Sequence, residues 1–156
     1  MKRVYINFTE YDRSEWFSIK SVGTRFKESV QNFKKSLIES LEIGPDDCHL
    51  FSLVWCDLTT EDYDRLLKLP LNESMYSGED YDFFKYLIET YDLYNQVVCE
   101  DDNSGNFEII NMYCEDHNLD FDDEDIYQEV CDLMWNDDII YTRYIKKYVN
   151  TKFRLQ

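Results

Sequence analysis

Residues 3–8 alternate strictly, with Val4, Ile6 and Phe8 on one face, and this period of two predicts a strand. Residues 15–19 alternate again, Phe17 and Ile19 opposite Trp16, which makes them its hairpin partner across a polar turn at 11–14. Thr24 then caps a helix over about 25–42, where Phe26, Val30, Phe33, Leu37 and Leu41 recur at helical spacing. Gly44-Pro45 stops it. Residues 49–56 give a third strand, with Phe51, Leu53 and Trp55 on one face.

Helical spacing dominates afterwards. Thr59 and Thr60 offer an N-cap before 61–69, and Pro70 with the 72–78 stretch interrupts the pattern. A longer helix is predicted over about 80–98, with Phe84, Leu87, Ile88, Tyr91 and Val98 as its apolar stripe. After a turn at 101–105, a helix over about 106–117 buries Phe107, Ile110 and Tyr113, and another over about 123–135 aligns Ile126, Tyr127, Val130, Cys131 and Met134. The last segment reads two ways: Ile140, Tyr141, Tyr144, Ile145 and Tyr148 fit a helix, whereas 149–155 fits a short strand. The expectation is an α+β fold: a small three-stranded antiparallel sheet with a helix, followed by mostly helical acidic units in an elongated arrangement. The units fall at 1–58 (α/β), 59–98 (helical) and 99–156 (acidic, helical, with a basic tail).

Composition adds a core to this picture. Of 156 residues, 44% are hydrophobic and 17% aromatic, too much apolar material for a disordered chain. A formal charge of −17 all but excludes a free-standing DNA or RNA binder and argues equally against an anionic membrane surface. No apolar run reaches signal-peptide or bilayer-spanning length, and five cysteines without a C-x-x-C pair suit reduced thiols. The expected location is the cytoplasm of a bacterial host cell. The absence of alanine, with ten asparagines and 23 tyrosines and phenylalanines, fits A/T-rich codons, as in a phage or mobile element of a low-GC bacterium.

The charge is unevenly placed. Residues 1–68 hold 12 acids and 10 bases, residues 69–142 hold 21 acids and only Lys85, and residues 143–156 hold five bases and no acid. Outside the apolar stripes, the middle segment presents Glu79, Asp80, Asp82, Glu89, Asp92, Glu100, Asp101, Asp102, Glu108, Glu115, Asp116, Asp120, Asp122, Asp123, Glu124, Asp125, Glu129, Asp132, Asp137 and Asp138. Duplex DNA carries one negative charge per ~1.7 Å of axis, so some twenty carboxylates would imitate roughly 34 Å, or about ten base pairs. Tyr76, Tyr81, Tyr86, Tyr91 and Tyr94 would add contact area. Acids commonly just solvate outward helix faces, but ordinary solvated helices also carry Lys partners at i,i+4. Here those partners are missing, and unrelieved repulsion costs stability.

Rival chemistries find less support. An EF-hand loop starting at Asp116 gains Asn118 and Asp120 but meets Phe121 where Gly is required and Tyr127 where the closing Glu is required. A loop starting at Asp120 ends on Cys131. Zinc would need Cys114-x-x-His117 with Cys99 or Cys131, a single half-site. Cys48 and His49 are adjacent and on a strand point to opposite faces, so they make no catalytic couple. Four glycines form neither a P-loop nor a dinucleotide fingerprint. The expectation is no enzyme, no cofactor and no metal. The bases Arg143, Lys146 and Lys147 either complement a helix C-terminus or pair with acids of the preceding helix or of a second copy, which leaves a homodimer open.

The order of blocks resembles the ArdA antirestriction family of mobile elements. The likeness rests on Val4-Tyr5-Ile6, on Tyr11 with Trp16-Phe17, on the strand 49–56 followed by Asp57, and on Val97-Val98-Cys99-Glu100-Asp101-Asp102 leading into an acidic helix through Tyr113. The glycines usual in that family's first hairpin and its Tyr-Gly-Arg-Asp-Leu-like tract are missing. The resemblance implies an acidic DNA mimic that inhibits type I restriction–modification enzymes; a phage-encoded inhibitor of CRISPR effectors would rest on the same physics. The expected partner is thus a basic DNA-binding protein, with no direct contact to nucleic acid or membrane. The alternatives are an acidic immunity or antitoxin protein that neutralises a nuclease, and an acidic interaction module with another partner.

Overall fold

The computed structural model of the chain describes residues 1–11, 15–43, 49–102 and 105–154. The turn residues 12–14, the Gly44-Pro45 stop, Cys48, residues 103–104 and Leu155 lie outside them. Strand β1 (Lys2–Tyr11) pairs antiparallel with β2 (Trp16–Gly23) on one side and with β3 (His49–Leu58) on the other. Helix α1 (Phe26–Ile43) connects β2 to β3, as its apolar stripe predicts. Helices α2 (Thr60–Leu66) and α3 (Glu79–Thr90) follow, and α4 (Asn106–Asp116), α5 (Glu124–Asn136) and α6 (Asp138–Lys152) complete the chain.

The sheet has five strands, which corrects the three-stranded expectation. A two-residue β4 (Ser74–Met75) pairs with β2, and β5 (Val97–Asp101) pairs with β3, giving the order β4-β2-β1-β3-β5. Two residues are too short to show a period, so β4 left no signal in the pattern. β5 was absorbed into the long helix predicted over 80–98. That helix ends at Thr90 because Asp92 adopts a left-handed backbone (φ 54°) and a 3-10 turn over Leu93–Asn95 redirects the chain. The Asp92 carboxylate accepts a hydrogen bond from Asn95 Nδ2 at 2.8 Å, which fixes the reversal. The β-branched pair Val97-Val98 then continues as an edge strand.

Contacts divide the chain into two units, Met1–Ser36 with Cys48–Asp102 and Leu37–Asp47 with Asn103–Gln156. The expected run of mostly helical units strung after the sheet is therefore overturned: α2 and α3 belong to the sheet's own unit. Their Leu66, Phe83, Phe84 and Leu87 join Val4, Ile6, Phe8, Phe17, Val54, Cys56 and Leu58 in one buried cluster. Phe84 meets Phe8 and Phe17 edge-on, each at 5.0 Å between ring centroids. The opposite sheet face, which alternation alone leaves to solvent, is covered as well. Phe26 packs edge-on against Tyr5, and Asn7, fully buried, donates from Nδ2 to Ser36 Oγ at 3.2 Å.

The second unit packs Ile109, Ile110 and Cys114 of α4, Val130 and Met134 of α5, and Tyr144, Ile145, Tyr148 and Val149 of α6. Asp123 caps α5 by accepting from the Asp125 and Ile126 amides. Asp137 closes α5 and at once caps α6, accepting from the Ile139 and Ile140 amides at 3.1 Å. The ambiguous C-terminal segment is helical through Lys152, so the short strand over 149–155 is not formed by its described residues.

Candidate functional site

Eighteen of the twenty predicted acids are exposed. Asp137 is half-buried in its capping role, and Asp101, at the end of β5, is 2% exposed and offers nothing to a partner's surface. Several others have local duties: Asp120 accepts from the Asp122 amide, Asp132 from Gln128 Nε2, and Asp123 caps α5. Asp116 is occupied by Lys147 Nζ at 2.8 Å and by the Tyr144 hydroxyl at 2.8 Å. Lys147, and then the Tyr144 hydroxyl, hold the Asp116 carboxyl below the usual carboxylate range. Burial, reinforced by Asp116, pushes the Tyr144 hydroxyl up to about 12.

Glu79, Asp80, Asp82, Glu89, Glu100, Glu108, Glu115, Asp122, Glu124, Asp125, Glu129 and Asp138 make no ion pair with any described residue. Seven of them stand in first helical turns, where the dipole favours an acid, but Glu89 and Glu115 do not. The last turns of α1, α3, α4 and α5 contain no base. Glu42, Glu89 and Glu115 stand in the last turns of α1, α3 and α4, against the negative pole of the helix dipole. A base there contributes about 0.3–1 kcal/mol, so each acid forgoes that and adds a repulsion of similar size.

The densest run is on α5. Asp123, Glu124, Asp125, Glu129 and Asp132 span nine residue steps, about 13 Å at ~1.5 Å per residue. Its four intervals average one charge per ~3.4 Å, the spacing of a single nucleic-acid strand and about half the density of the duplex.

The sheet unit holds an open cleft of about 550 Å³ between α2 and α3, lined by Asp62, Arg65, Glu79, Asp82, Phe83 and Tyr86. Asp62, which the sequence reading did not single out, accepts hydrogen bonds from the hydroxyls of Tyr86 and Tyr91. That bond, with burial, raises the Tyr86 hydroxyl's proton affinity. The Arg65 guanidinium lies 4.4 Å from the Phe83 ring centre. Of the five tyrosines expected at an interface, Tyr76 is open, Tyr94 donates to Glu10 at 2.8 Å, and Tyr81 leans against Phe17. Tyr86 and Tyr91 are engaged by Asp62.

A second omission is Trp135, 63% exposed, with Ile139, 75% exposed, at the corner between α5 and α6. A helical wheel would have found the tryptophan, because it lies on the polar side of α5 rather than on the stripe of Val130 and Met134.

Among the described residues no three His, Cys, Asp or Glu converge as ligands. Cys114 is buried, whereas His117 is exposed, stacks on Tyr113 at 4.1 Å and places Nδ1 2.9 Å from the Tyr113 carbonyl. In the failed calcium loop, Asp116 is held by Lys147 and Asn118 takes a left-handed backbone. Burial pushes the Cys56 thiol up to about 12 and raises Cys99, Cys114 and Cys131 as well, away from the reactive thiolate. No helix is long and apolar enough to cross a membrane among the described residues. No protein-family model, curated protein or solved structure matches the chain.

Proposed function

We propose that the protein is a non-enzymatic inhibitor that occupies the basic DNA-binding groove of a bacterial host-defence enzyme, either a type I restriction–modification complex or a CRISPR effector. The observation that carries this reading is the row of carboxylates on α5, about as dense in charge as a single nucleic-acid strand and without ion pairs to described residues. The exposed acids of α3 (Glu79, Asp80, Asp82, Glu89) make a second, independent row in the sheet unit. Basic grooves built for phosphates bind such rows through many weak charge contacts, with rapid steered association that salt suppresses. The packed aromatic cores hold both rows on ordered helices, so little ordering entropy opposes binding.

The test is displacement. Type I restriction and CRISPR effector complexes are loaded with labelled duplex DNA, and the protein is titrated in at several salt concentrations. Displacement at low salt that weakens steeply as salt rises is the expected result. Reversing Glu124, Asp125 and Glu129 to Lys should weaken it in steps. If neither complex loses its DNA at low salt, the mimic reading fails. If one carboxylate-to-amide change abolishes binding outright, the binding is concentrated as in a nuclease immunity protein, and that alternative takes its place.

A further inference from the structure

We infer that the cleft between α2 and α3 is a receptor for an arginine side chain presented by the partner. This rests on the inhibitor reading above and names one group of the partner that the protein grips.

At about 550 Å³ the cleft has the volume of a small-ligand site, ample for one side chain. Three carboxylates (Asp62, Glu79, Asp82) and one guanidinium (Arg65) line it, a net charge of −2. Arg65 does not satisfy those acids. It makes no ion pair with any described residue and lies instead on the Phe83 ring, 4.4 Å from its centre. Tyr86 stacks on the same Phe83, with ring centroids 5.8 Å apart and planes 28° from parallel, so part of the lining is aromatic. Its hydroxyl donates to Asp62 Oδ2 at 3.1 Å, which holds the ring in place. The Tyr91 hydroxyl donates to that same oxygen, and no described residue bonds Asp62 Oδ1. A held ring, a held carboxylate with one open oxygen, and two further carboxylates on α3 thus stand ready before any ligand arrives.

The lining selects the occupant. A phosphate or carboxylate would meet three acids for one base. A metal ion is unsuited, because among the described residues no three acids converge as ligands. A lysine ammonium is compact and strongly hydrated, and has no flat face to lay on a ring. A guanidinium stacks on an aromatic face and pairs with carboxylates through a two-bond fork. Proteins that hold nucleic acid favour arginine because the same fork fits phosphate.

The probe is Nα-acetyl-argininamide, titrated into the whole protein and followed by backbone amide resonances, with the blocked lysine as control. Arginine should shift the amides of Asp62, Arg65, Glu79, Asp82 and Tyr86 more than those of α5. It should bind about 2–5-fold tighter than lysine, the worth of an exposed cation–π contact. Tyr86→Leu, with melting temperature as the check on folding, should erase that preference. Glu79→Gln combined with Asp82→Asn should weaken arginine binding while sparing Asp62, whose bonds to two tyrosines also support the fold. In the DNA-displacement assay Tyr86→Leu removes no charge, so a spread row of acids predicts no loss, whereas the receptor predicts a loss of about 2–5-fold. If arginine and lysine shift the cleft and α5 alike, the receptor is refuted while the inhibitor reading stands. A preference for arginine that survives Tyr86→Leu also refutes it. Arginine binding in a protein that displaces no DNA overturns the inhibitor reading, and with it the assignment of the arginine to a nucleic-acid-binding partner.

Discussion

Substituting Gly105 by Ala tests the packing that supports the acidic helices. Gly105 is buried immediately before α4, and its backbone (φ −72°) is one that alanine adopts without strain, so the outcome is decided by space. A Cβ built there meets the Tyr148 ring at 2.7 Å from Cε1, 3.0 Å from Cζ and 3.3 Å from Cδ1. Carbon atoms pack best at about 3.5–4.0 Å, so the ring must retreat by roughly 1 Å. It has no easy way out: Tyr148 is 3% exposed, and Lys152 Nζ donates to its hydroxyl at 3.2 Å. Overpacking of this kind costs about 1–3 kcal/mol, and the stiffer unfolded chain returns about 0.4–1 kcal/mol. The expected net loss is about 1–2 kcal/mol, or roughly 3–6 °C in Tm for a chain of this size. Urea unfolding followed by circular dichroism measures it. The same substitution in a Tyr148→Leu background should be neutral or slightly stabilising, because the obstructing ring atoms are gone. A coupling below about 0.5 kcal/mol between the two positions would refute the described contact.

Three further outcomes follow from the same geometry. Asp123→Ala should destabilise by about 0.5–2 kcal/mol by removing the α5 cap, whereas Asp123→Asn keeps the cap; paired thermal melts distinguish them. Glu89→Lys and Glu115→Lys remove an acid from the last turns of α3 and α4 and place a base there, and each should raise stability by about 0.6–2 kcal/mol while weakening DNA displacement; unchanged melting would discredit the dipole argument. In alkali, the Cys56 thiol and the Tyr144 hydroxyl, each held up to about 12, keep protons that the unfolded chain releases near its ordinary values of 9.0 and 10.0. Folded protein binds more protons in that window, so stability is full below about pH 9 and falls as pH rises towards 12. Calorimetry at successive pH values checks this, and Cys56→Val should flatten part of the decline.

The hairpin, α1 and β3 were legible because each has one dominant apolar face at a single period. Legibility failed where a tertiary feature set the boundary. Val98 extends the helical stripe of Leu87 and Tyr91 on paper, and only the left-handed Asp92 and the 3-10 turn after it convert residues 97–101 into a strand. Likewise Asn7, Thr9 and Ser18 look like the solvated side of a sheet, yet all three are buried. Of the candidate site, nearly all the acids could be named in advance, since an acid off an apolar stripe is usually exposed. Asp101 differs because it ends β5, paired with Phe51 of β3, and is the one buried residue of that strand. Asp62 had no local sign of its role, since Tyr86 and Tyr91 lie a whole helix later in the chain.

The distribution of charge changes meaning once it is divided by unit rather than by sequence. The unit Met1–Ser36 with Cys48–Asp102 holds 17 acids and 11 bases, and the unit Leu37–Asp47 with Asn103–Gln156 holds 16 and 5. The block of 21 acids and one base is thus cut in two, and four of the five bases of the tail lie on α6, within the more acidic unit. There Lys147 secures Asp116, an acid at the end of α4, while the α5 acids remain without ion pairs to described residues. If solubility were the only demand, lysines in the last helical turns would meet it and stabilise the helices as well. Four helices lack a base there, and three of them carry glutamate instead. Exchanging those glutamates for lysine should therefore add stability to the free protein and take affinity from its complex, and a variant improved in both would remove the reason for reading the acids as functional.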